Sequence, residues 1–590
     1  VHISVIATDF DGTISEGDRL APKAGHVLRR WREQGGIVVL VSGRPFEFLR
    51  DLQEREQTFD LIVAENGAVV YNPYSDEMRL PFGQVPDELV RTLAQLGIPL
   101  WRGIAIAGTT LPYDDAVWVA SRELGLAVHV VINRSEVMLL PPGASKGAGL
   151  LHLLQNEGLS PRNLLAFGDA ENDRSLLQAA EVKVAVANAV EGLQAIADHV
   201  TPGAGPSGVA GFVERYLLDK KAFDFPIRGA HHFVLDAAGQ VSVNAHDLVD
   251  REILIAGGSG YSKSSLACRL AEGLMDGGYQ VLGLDPVGDL HGLRHHSACL
   301  SLGREELPAI SLVAQLLIGT RQSLALDLSH VPTVEEQILY TTGLLRRVLD
   351  MRRRLGRPHW ILIDEAQDLL GGPDNPARLP LLQGFESFGV CLVTWQPSRI
   401  DHALLERMHG FVLTRHRLSS EVECLSSLLA SHSLDVDRLA QRLGQLDEGE
   451  ALIWGLAAST NDTLTPLRFG AGSHIFPGMR RLHRYLEDRV APSRQFYFHD
   501  QKGHSLPAGN LGELIERVRT LDVVVLTFHL ERGDFARWIR DVLRDETLAR
   551  WLDRLQAAEL SGETLRLALL DALEQRLRVL ESLISSRSMT

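Results

Sequence analysis

Residues 7–13 read Ala7-Thr-Asp-Phe-Asp-Gly-Thr13, directly after the short apolar run Ile3 to Ile6. This predicts a buried strand carrying two carboxylates, Asp9 and Asp11, at its carboxyl end, where open α/β sheets bind ligands. Residues two apart on a strand point the same way, so both carboxylates are expected to face one phosphate. Gly12 then lets the chain turn sharply away.

Apolar runs recur outward from this point, with helix-like stretches between them. They are Ile37–Val41, Leu61–Ala64, Leu164–Phe167, Ile253–Ala256, Val281–Leu284, Leu324–Leu328, Trp360–Ile363 and Val390–Thr394. The alternation predicts an α/β fold with largely parallel sheets. The chain has 590 residues, 45% of them hydrophobic, enough for several domains. Breakers at Thr201–Gly208 mark a loop, and the charged, proline-containing stretch Asp219–Arg228 marks a first boundary. A second lies near Gly470-Ala-Gly-Ser473. The expected domains are therefore 1–218, 226–470 and 474–590.

There are 59 basic and 75 acidic residues, a net charge of −16, which argues against a surface that is basic throughout and coats nucleic acid. Cys268, Cys299, Cys391 and Cys424 show no C-x-x-C spacing, so neither a zinc site nor a disulfide framework is expected. No apolar run approaches the roughly 18 residues of a membrane span. The first residues lack the basic-then-apolar pattern of a secretory leader. A soluble cytoplasmic protein with no membrane partner is the expectation.

Four pieces carry one chemistry. They are Asp9-Phe-Asp-Gly-Thr13, Val41-Ser-Gly-Arg44, Lys146 within Gly143-Ala-Ser-Lys-Gly147, and Phe167-Gly-Asp-Ala-Glu-Asn-Asp173. Asp9 can attack phosphorus to form an aspartyl-phosphate. Asp11 can protonate the leaving oxygen and then activate water. Phosphate and carboxylates repel each other, so a hard divalent cation such as Mg²⁺ is needed. Asp169 is the natural further ligand beside Asp9 and Asp11, with Asp173 and Asn172 holding the shell. Ser42 can donate to a phosphoryl oxygen, and Lys146 can neutralise the nucleophile and the phosphoryl group. Each piece alone is an ordinary turn, cap or surface lysine. Their order, with three of them after strands, makes the set specific.

On these residues the chain resembles the haloacid-dehalogenase superfamily of phosphatases, most closely its Cof-type and sucrose-phosphatase-like branch. Ala64-Glu-Asn-Gly-Ala68 looks like that branch's Asn-Gly turn and brings Asn66 near the site. The resemblance covers about 1–218. It implies a Rossmann-like core with an inserted α/β cap at about 80–145 that selects a phosphorylated small-molecule substrate. Arg102, Arg122 and Arg134 are cap candidates for anion contacts, against the plainer reading of solvated surface arginines.

A second set begins with Ile253-Leu-Ile-Ala-Gly-Gly-Ser-Gly-Tyr-Ser-Lys-Ser-Ser265. Gly257, Gly258, Ser259, Gly260, Tyr261, Ser262, Lys263, Ser264 and Ser265 nearly fit the P-loop, whose backbone N–H groups cradle phosphates. Lys263 would reach the β/γ-phosphates and Ser264 the Mg²⁺. Ser262 departs from the pattern, which has glycine before the lysine. Downstream, Trp360-Ile-Leu-Ile-Asp-Glu365 would supply Asp364 to support Mg²⁺ and Glu365 to polarise water. Gln396 ends another strand as a γ-phosphate sensor. Arg399, Arg415 and Arg417 are candidate arginine fingers, each more simply a surface residue. Residues 226–470 resemble the HerA/FtsK ATPases, including a hairpin-like lead-in at Asp236–Val243. That resemblance implies ATP, Mg²⁺ and a homo-oligomeric, commonly hexameric, ring.

Residues 474–590 read as a mostly helical module. Phe535, Trp538, Ile539 and Val542 fall at helical spacing, so core packing is expected there. Three readings follow from the whole. The first is an Mg²⁺-dependent phosphatase for a sugar phosphate or similar monoester, coupled to an ATP-binding domain. The second is a nucleic-acid machine that trims terminal phosphates. The third is an ATP-binding oligomeric scaffold with little turnover.

Overall fold

The computed structural model describes residues 2–585 apart from 134, 228–230, 237–240, 259–262, 304–305, 373, 385–388, 417, 433, 435, 437–438, 448, 457–463, 470–489, 491–494, 500–504, 544–545 and 559. These form two compact units, Val1–Ala230 with Met351–Arg357, and His231–Asp350 with Pro358–Thr590.

The first unit is built on an eight-stranded sheet. Its order is His199–Val200, Val182–Ala185, Leu164–Gly168, Val5–Thr8, Ile37–Val41, Leu61–Ala64, Val69–Asn72, Glu77–Arg79. The first six run parallel, Val69–Asn72 pairs antiparallel with Leu61–Ala64, and Glu77–Arg79 pairs antiparallel with Val69–Asn72. Val5–Thr8, Leu61–Ala64 and Leu164–Gly168 are buried at every position, as expected for parallel strands covered on both faces. The helix Pro22–Glu33 starts on a proline whose missing N–H costs nothing there, and it buries Val27, Leu28 and Trp31. The helix Lys146–Asn156 is capped by Ser145, whose side chain accepts from the Ala148 N–H.

Residues 84–140 leave this core to form a separate four-stranded antiparallel sheet. Its order is His129–Asn133, Glu136–Leu140, Ala107–Thr110, Trp101–Arg102. The helices Asp87–Gln95 and Asp114–Glu123 lie in the same segment, and Leu89, Leu93, Val117 and Leu139 share a small core.

One expectation is corrected at the first strand. It ends at Thr8, and Phe10 accepts hydrogen bonds from the N–H groups of Thr13 and Ile14 at 3.3 and 3.0 Å. Asp9 and Asp11 therefore stand in a turn, where strand alternation no longer sets direction, and their side chains diverge.

The second unit holds a nine-stranded mixed sheet. Its order is Cys299–Leu302, Ser323–Asp327, Val281–Asp285, Trp360–Ile363, Val390–Thr394, Glu252–Ala256, Gly410–Thr414, Glu450–Trp454, Thr465–Arg468. Only the last two are antiparallel to their neighbours. Ahead of it, His232–Val234 pairs antiparallel with Ser242–Asn244. In the C-terminal part a hairpin of Phe496–His499 and Ser505–Ala508 accompanies the helices. Phe535, Trp538 and Ile539 are buried in its core. No helix among the described residues is long and apolar enough to cross a membrane.

Candidate active site

Three strand ends and one helix start converge in the first unit. Asp9 follows Val5–Thr8, Ser42 follows Ile37–Val41, and Asp169 follows Leu164–Gly168. Lys146 opens the helix Lys146–Asn156. All four are buried, as is Asp173. The Lys146 ammonium donates to Asp9 Oδ1 at 2.7 Å and to Asp173 Oδ1 at 2.6 Å. Asp173 Oδ2 accepts from the Asp169 and Ala170 N–H groups at 2.9 and 3.0 Å, which fixes the loop that presents Asp169. The Thr13 hydroxyl lies 3.3 Å from Asp9 Oδ2 and 3.4 Å from Asp169 Oδ1. Gly12 adopts φ +80°, and a Cβ there would stand 2.3 Å from Asp169 Oδ2. Only glycine fits both demands.

The electrostatics of the cluster are dominated by its acids. Asp9, Asp169 and Asp173 offer oxygens within 4.8 Å of one another. Burial first, and then the Asp173 carboxylate, push Asp9 up to about 8 against the pull of Lys146. Burial alone would lower the Lys146 ammonium, but Asp173 and Asp9 outweigh it and hold the group above its ordinary value. One lysine does not balance the three acids. A clustered, all-oxygen donor set of this kind fits a hard divalent cation.

Asp11 stands apart from that cluster. Its side chain is 49% exposed and lies against Arg44, whose Nη2 donates at 2.6 Å and Nε at 2.9 Å. Arg44 also donates to Asp18 at 2.6 Å and sits 4.3 Å from the Phe48 ring centre. Asp11 raises the pKa of this guanidinium. Within Ser42-Gly-Arg44 nothing local marks Arg44 as part of the site. Its contact with Asp11 crosses 33 residues and leaves no local pattern. Asn66, in a left-handed turn at φ 52°, donates its own N–H to Ser42 O and accepts from Asn172 Nδ2 at 3.3 Å. Of the cap arginines, Arg102 donates to Asp87 at 2.7 Å, Arg122 is exposed, and Arg134 lies outside the described residues.

Haloacid dehalogenase-like hydrolases match residues 6–95 and 127–213. A phosphoglycolate phosphatase of Methanoculleus marisnigri is 32% identical over 228 residues, 36% of this chain and 97% of that protein. One from Methanothermobacter thermautotrophicus is 33% identical over 221 residues, covering 36% and 98%. The chain belongs to the haloacid dehalogenase-like hydrolases. Among solved structures, a haloacid dehalogenase-like hydrolase from Bacteroides thetaiotaomicron is similar to 36% of the chain over 100% of its own length, at 24% identity and a TM-score of 0.33. The four pieces that converge on Asp9 lie within the hydrolase match.

In the second unit, Gly257 and Gly258 follow the strand Glu252–Ala256, and Lys263 opens the helix Lys263–Asp276. Ser259, Gly260, Tyr261 and Ser262 lie outside the described residues, as do Arg417 and part of the lead-in, 237–240. Lys263 Nζ donates to Gly258 O at 3.0 Å. Ser264 Oγ donates to Asp364 Oδ1 at 3.3 Å, and Ser265 is half-buried on the same helix. Glu365, at φ 44°, accepts from Gln367 Nε2 at 2.6 Å, and the Thr394 hydroxyl donates to Gln367 Oε1 at 2.7 Å. The Gln396 N–H donates to that same hydroxyl at 3.0 Å. Burial, then Glu365, push Asp364 well above the usual carboxylate range. Arg399 is 4.0 Å from Asp368, and Arg415 is 3.8 Å from Asp447.

Proposed function

We propose that residues 1–218 hydrolyse a small phosphomonoester through an aspartyl-phosphate on Asp9. The observation that carries this reading is Lys146 between Asp9 and Asp173, with Asp169 beside them. Asp9 attacks phosphorus while Asp11 gives its proton to the leaving oxygen. Asp11 then takes a proton from the water that opens the acyl phosphate, releasing orthophosphate and restoring the Asp9 carboxylate and the protonated Asp11. Ser42 and Lys146 hold phosphoryl oxygens. Asp11 has to leave Arg44 to reach the leaving group. Mg²⁺, held by Asp9 and Asp169 with Asp11 and Asp173 around them, would supply the positive charge that the cluster lacks.

The relatives named as phosphoglycolate phosphatases favour a short, acidic phosphomonoester over a sugar phosphate. A screen of phosphorylated metabolites that includes 2-phosphoglycolate, run on wild type and Asp9→Asn with Mg²⁺, tests the reading. Turnover by the wild type alone supports it. Uniformly absent turnover sinks it.

A second reading concerns residues 226–470, which we propose bind ATP with Mg²⁺ in the manner of HerA/FtsK-like proteins, as a homo-oligomer. It is favoured by Ser264 meeting Asp364 although Val390–Thr394 lies between their strands in the sheet. ATP hydrolysis lost in Glu365→Gln would support it. ATP binding unchanged in Lys263→Met would refute it. Hydrolysis indifferent to DNA and RNA would count against a nucleic-acid role.

A further inference from the structure

Glu65 is fully buried, yet it is no part of the cluster around Asp9. Its Oε1 accepts from the Ile104 N–H at 2.9 Å and the Phe46 N–H at 3.4 Å. Its Oε2 accepts from the N–H groups of Ala105 and Ile106 at 2.8 and 3.1 Å. Three of these donors belong to the tip of the hairpin that joins Trp101–Arg102 to Ala107–Thr110 in the inserted domain. The tip's carbonyls are taken from the other side: Gln84 Nε2 donates to Ile104 O at 2.9 Å and the Val85 N–H to Ala105 O at 2.9 Å. Those two residues lie where the chain leaves the core.

Several features show that the joint is built. Glu65 and Asn66 both have positive φ, 53° and 52°, a conformation that costs such residues free energy unless the surroundings hold it. A Cβ on Gly103 would stand 2.6 Å from Glu65 Oε1, so the hairpin comes as close as a glycine permits. The next residue, Asn66, touches Ser42 through its N–H, Asn172 through its Oδ1, and Met138 of the strand Glu136–Leu140 through its Nδ2. The hydrolase match breaks between 95 and 127, so this hairpin falls in the part of the chain that the family pattern does not cover.

We propose that Glu65 is a positioning residue that clasps the inserted domain's hairpin 103–106 to the core, so that the inserted domain keeps one placement over the Asp9 site and discriminates between substrates there. The proposal rests on the phosphatase reading for its kinetic consequence but not for the clasp itself. A carboxylate offers only acceptors to the four amides, whereas the amide of a glutamine turns a donor toward one pair of them.

The test uses the full chain with Glu65→Gln and, from the other side of the joint, Gly103→Ala. In hydrogen exchange, the Ile104, Ala105 and Ile106 amides should exchange at least about tenfold faster in either variant, while the amides of Val5–Thr8 keep their protection. In kinetics with Mg²⁺, the wild-type preference between 2-phosphoglycolate and p-nitrophenyl phosphate should shrink by at least about fivefold in kcat/KM, mainly through KM. Unchanged exchange at 104–106 in both variants overturns the clasp. An equal loss on both substrates overturns the discriminating role and leaves Glu65 as general support for Asp9. Should Glu65→Gln not fold, Gly103→Ala carries both measurements. If the wild type turns over neither substrate, the phosphatase reading fails and the exchange result alone decides the clasp.

Discussion

In the first unit Lys146 comes from 137 residues beyond Asp9 and lies between two carboxylates. In the second unit Lys263 donates to Gly258 O, five residues earlier in its own loop. Both sites stand at the carboxyl ends of parallel strands and use acids, a lysine and a glycine-containing turn. In the first, the lysine lies directly on its acids. In the second, Asp364 is buried beside Glu365, and among the described residues its Oδ2 has no hydrogen-bond partner. Further along the same sheet, burial and the neighbouring Asp327 and Asp289 push Asp285 up to about 7. The lesson is that strand-end placement gathers acids, and in the first unit a lysine from a distant helix start partly neutralises them.

The largest expected effect separates the two acids of the opening turn. Asp9→Asn should lower phosphatase kcat by about 10⁴-fold or more, as loss of a nucleophile does. Asp11→Asn should lower it by about 10²- to 10⁴-fold, the range for a general acid or base. Steady-state kinetics on one substrate compares them, and equal small losses would mean that the turn is not the reacting centre.

Lys146→Met should destabilise the first unit by about 3–5 kcal/mol, because it strands buried carboxylates. Lys263→Met should cost the second unit clearly less, since the bond it loses to Gly258 O is to a neutral carbonyl. Denaturant titrations followed by a probe in each unit check the contrast. Similar losses would erase the distinction drawn between the two lysines.

A smaller effect is linked to pH. Metal-free, Asp9 has a folded-state value of about 8 against an ordinary 3.8. Between those values the folded state keeps a proton that the unfolded state releases, so stability should fall as pH rises through that window. Millimolar Mg²⁺ should raise the melting temperature and flatten the slope, and Asp169→Asn should weaken that response. A slope unchanged by Mg²⁺ would mean that the cluster holds no cation.

The smallest effect expected is at Arg44. Replacing it with methionine keeps some contact with Phe48 but frees Asp11, so kcat should change by less than about tenfold while KM moves with substrate charge. A loss as large as that of Asp11→Asn would make Arg44 essential to proton transfer.

Much of this was legible along the chain. Ile37–Val41, Leu61–Ala64, Trp360–Ile363 and Val390–Thr394 are strands over the spans their apolar runs predict, because a strand buried on both faces must be apolar throughout. Asp9, Ser42, Lys146 and Asp169 were nameable because each sits at a strand end or helix start with its own local signal. Glu65 is not legible as a clasp from its Glu-Asn-Gly context. Its partners at 104–106 are backbone amides, and backbone amides have no sequence signature.

The amino-acid sequence by itself determined which segments become strands, that two acids follow the first of them, and that a lysine and a second acidic turn come later in order. Those properties are local: apolar runs, turn residues and caps act over a few positions. Tertiary structure alone decided that Asp9 turns inward to Lys146 while Asp11 turns out to Arg44. It also decided that Asp173 holds the loop of Asp169 and that Glu65 receives a hairpin 40 residues away. Each of those outcomes depends on which groups packing brings within about 3 Å, the distance at which hydrogen bonds act.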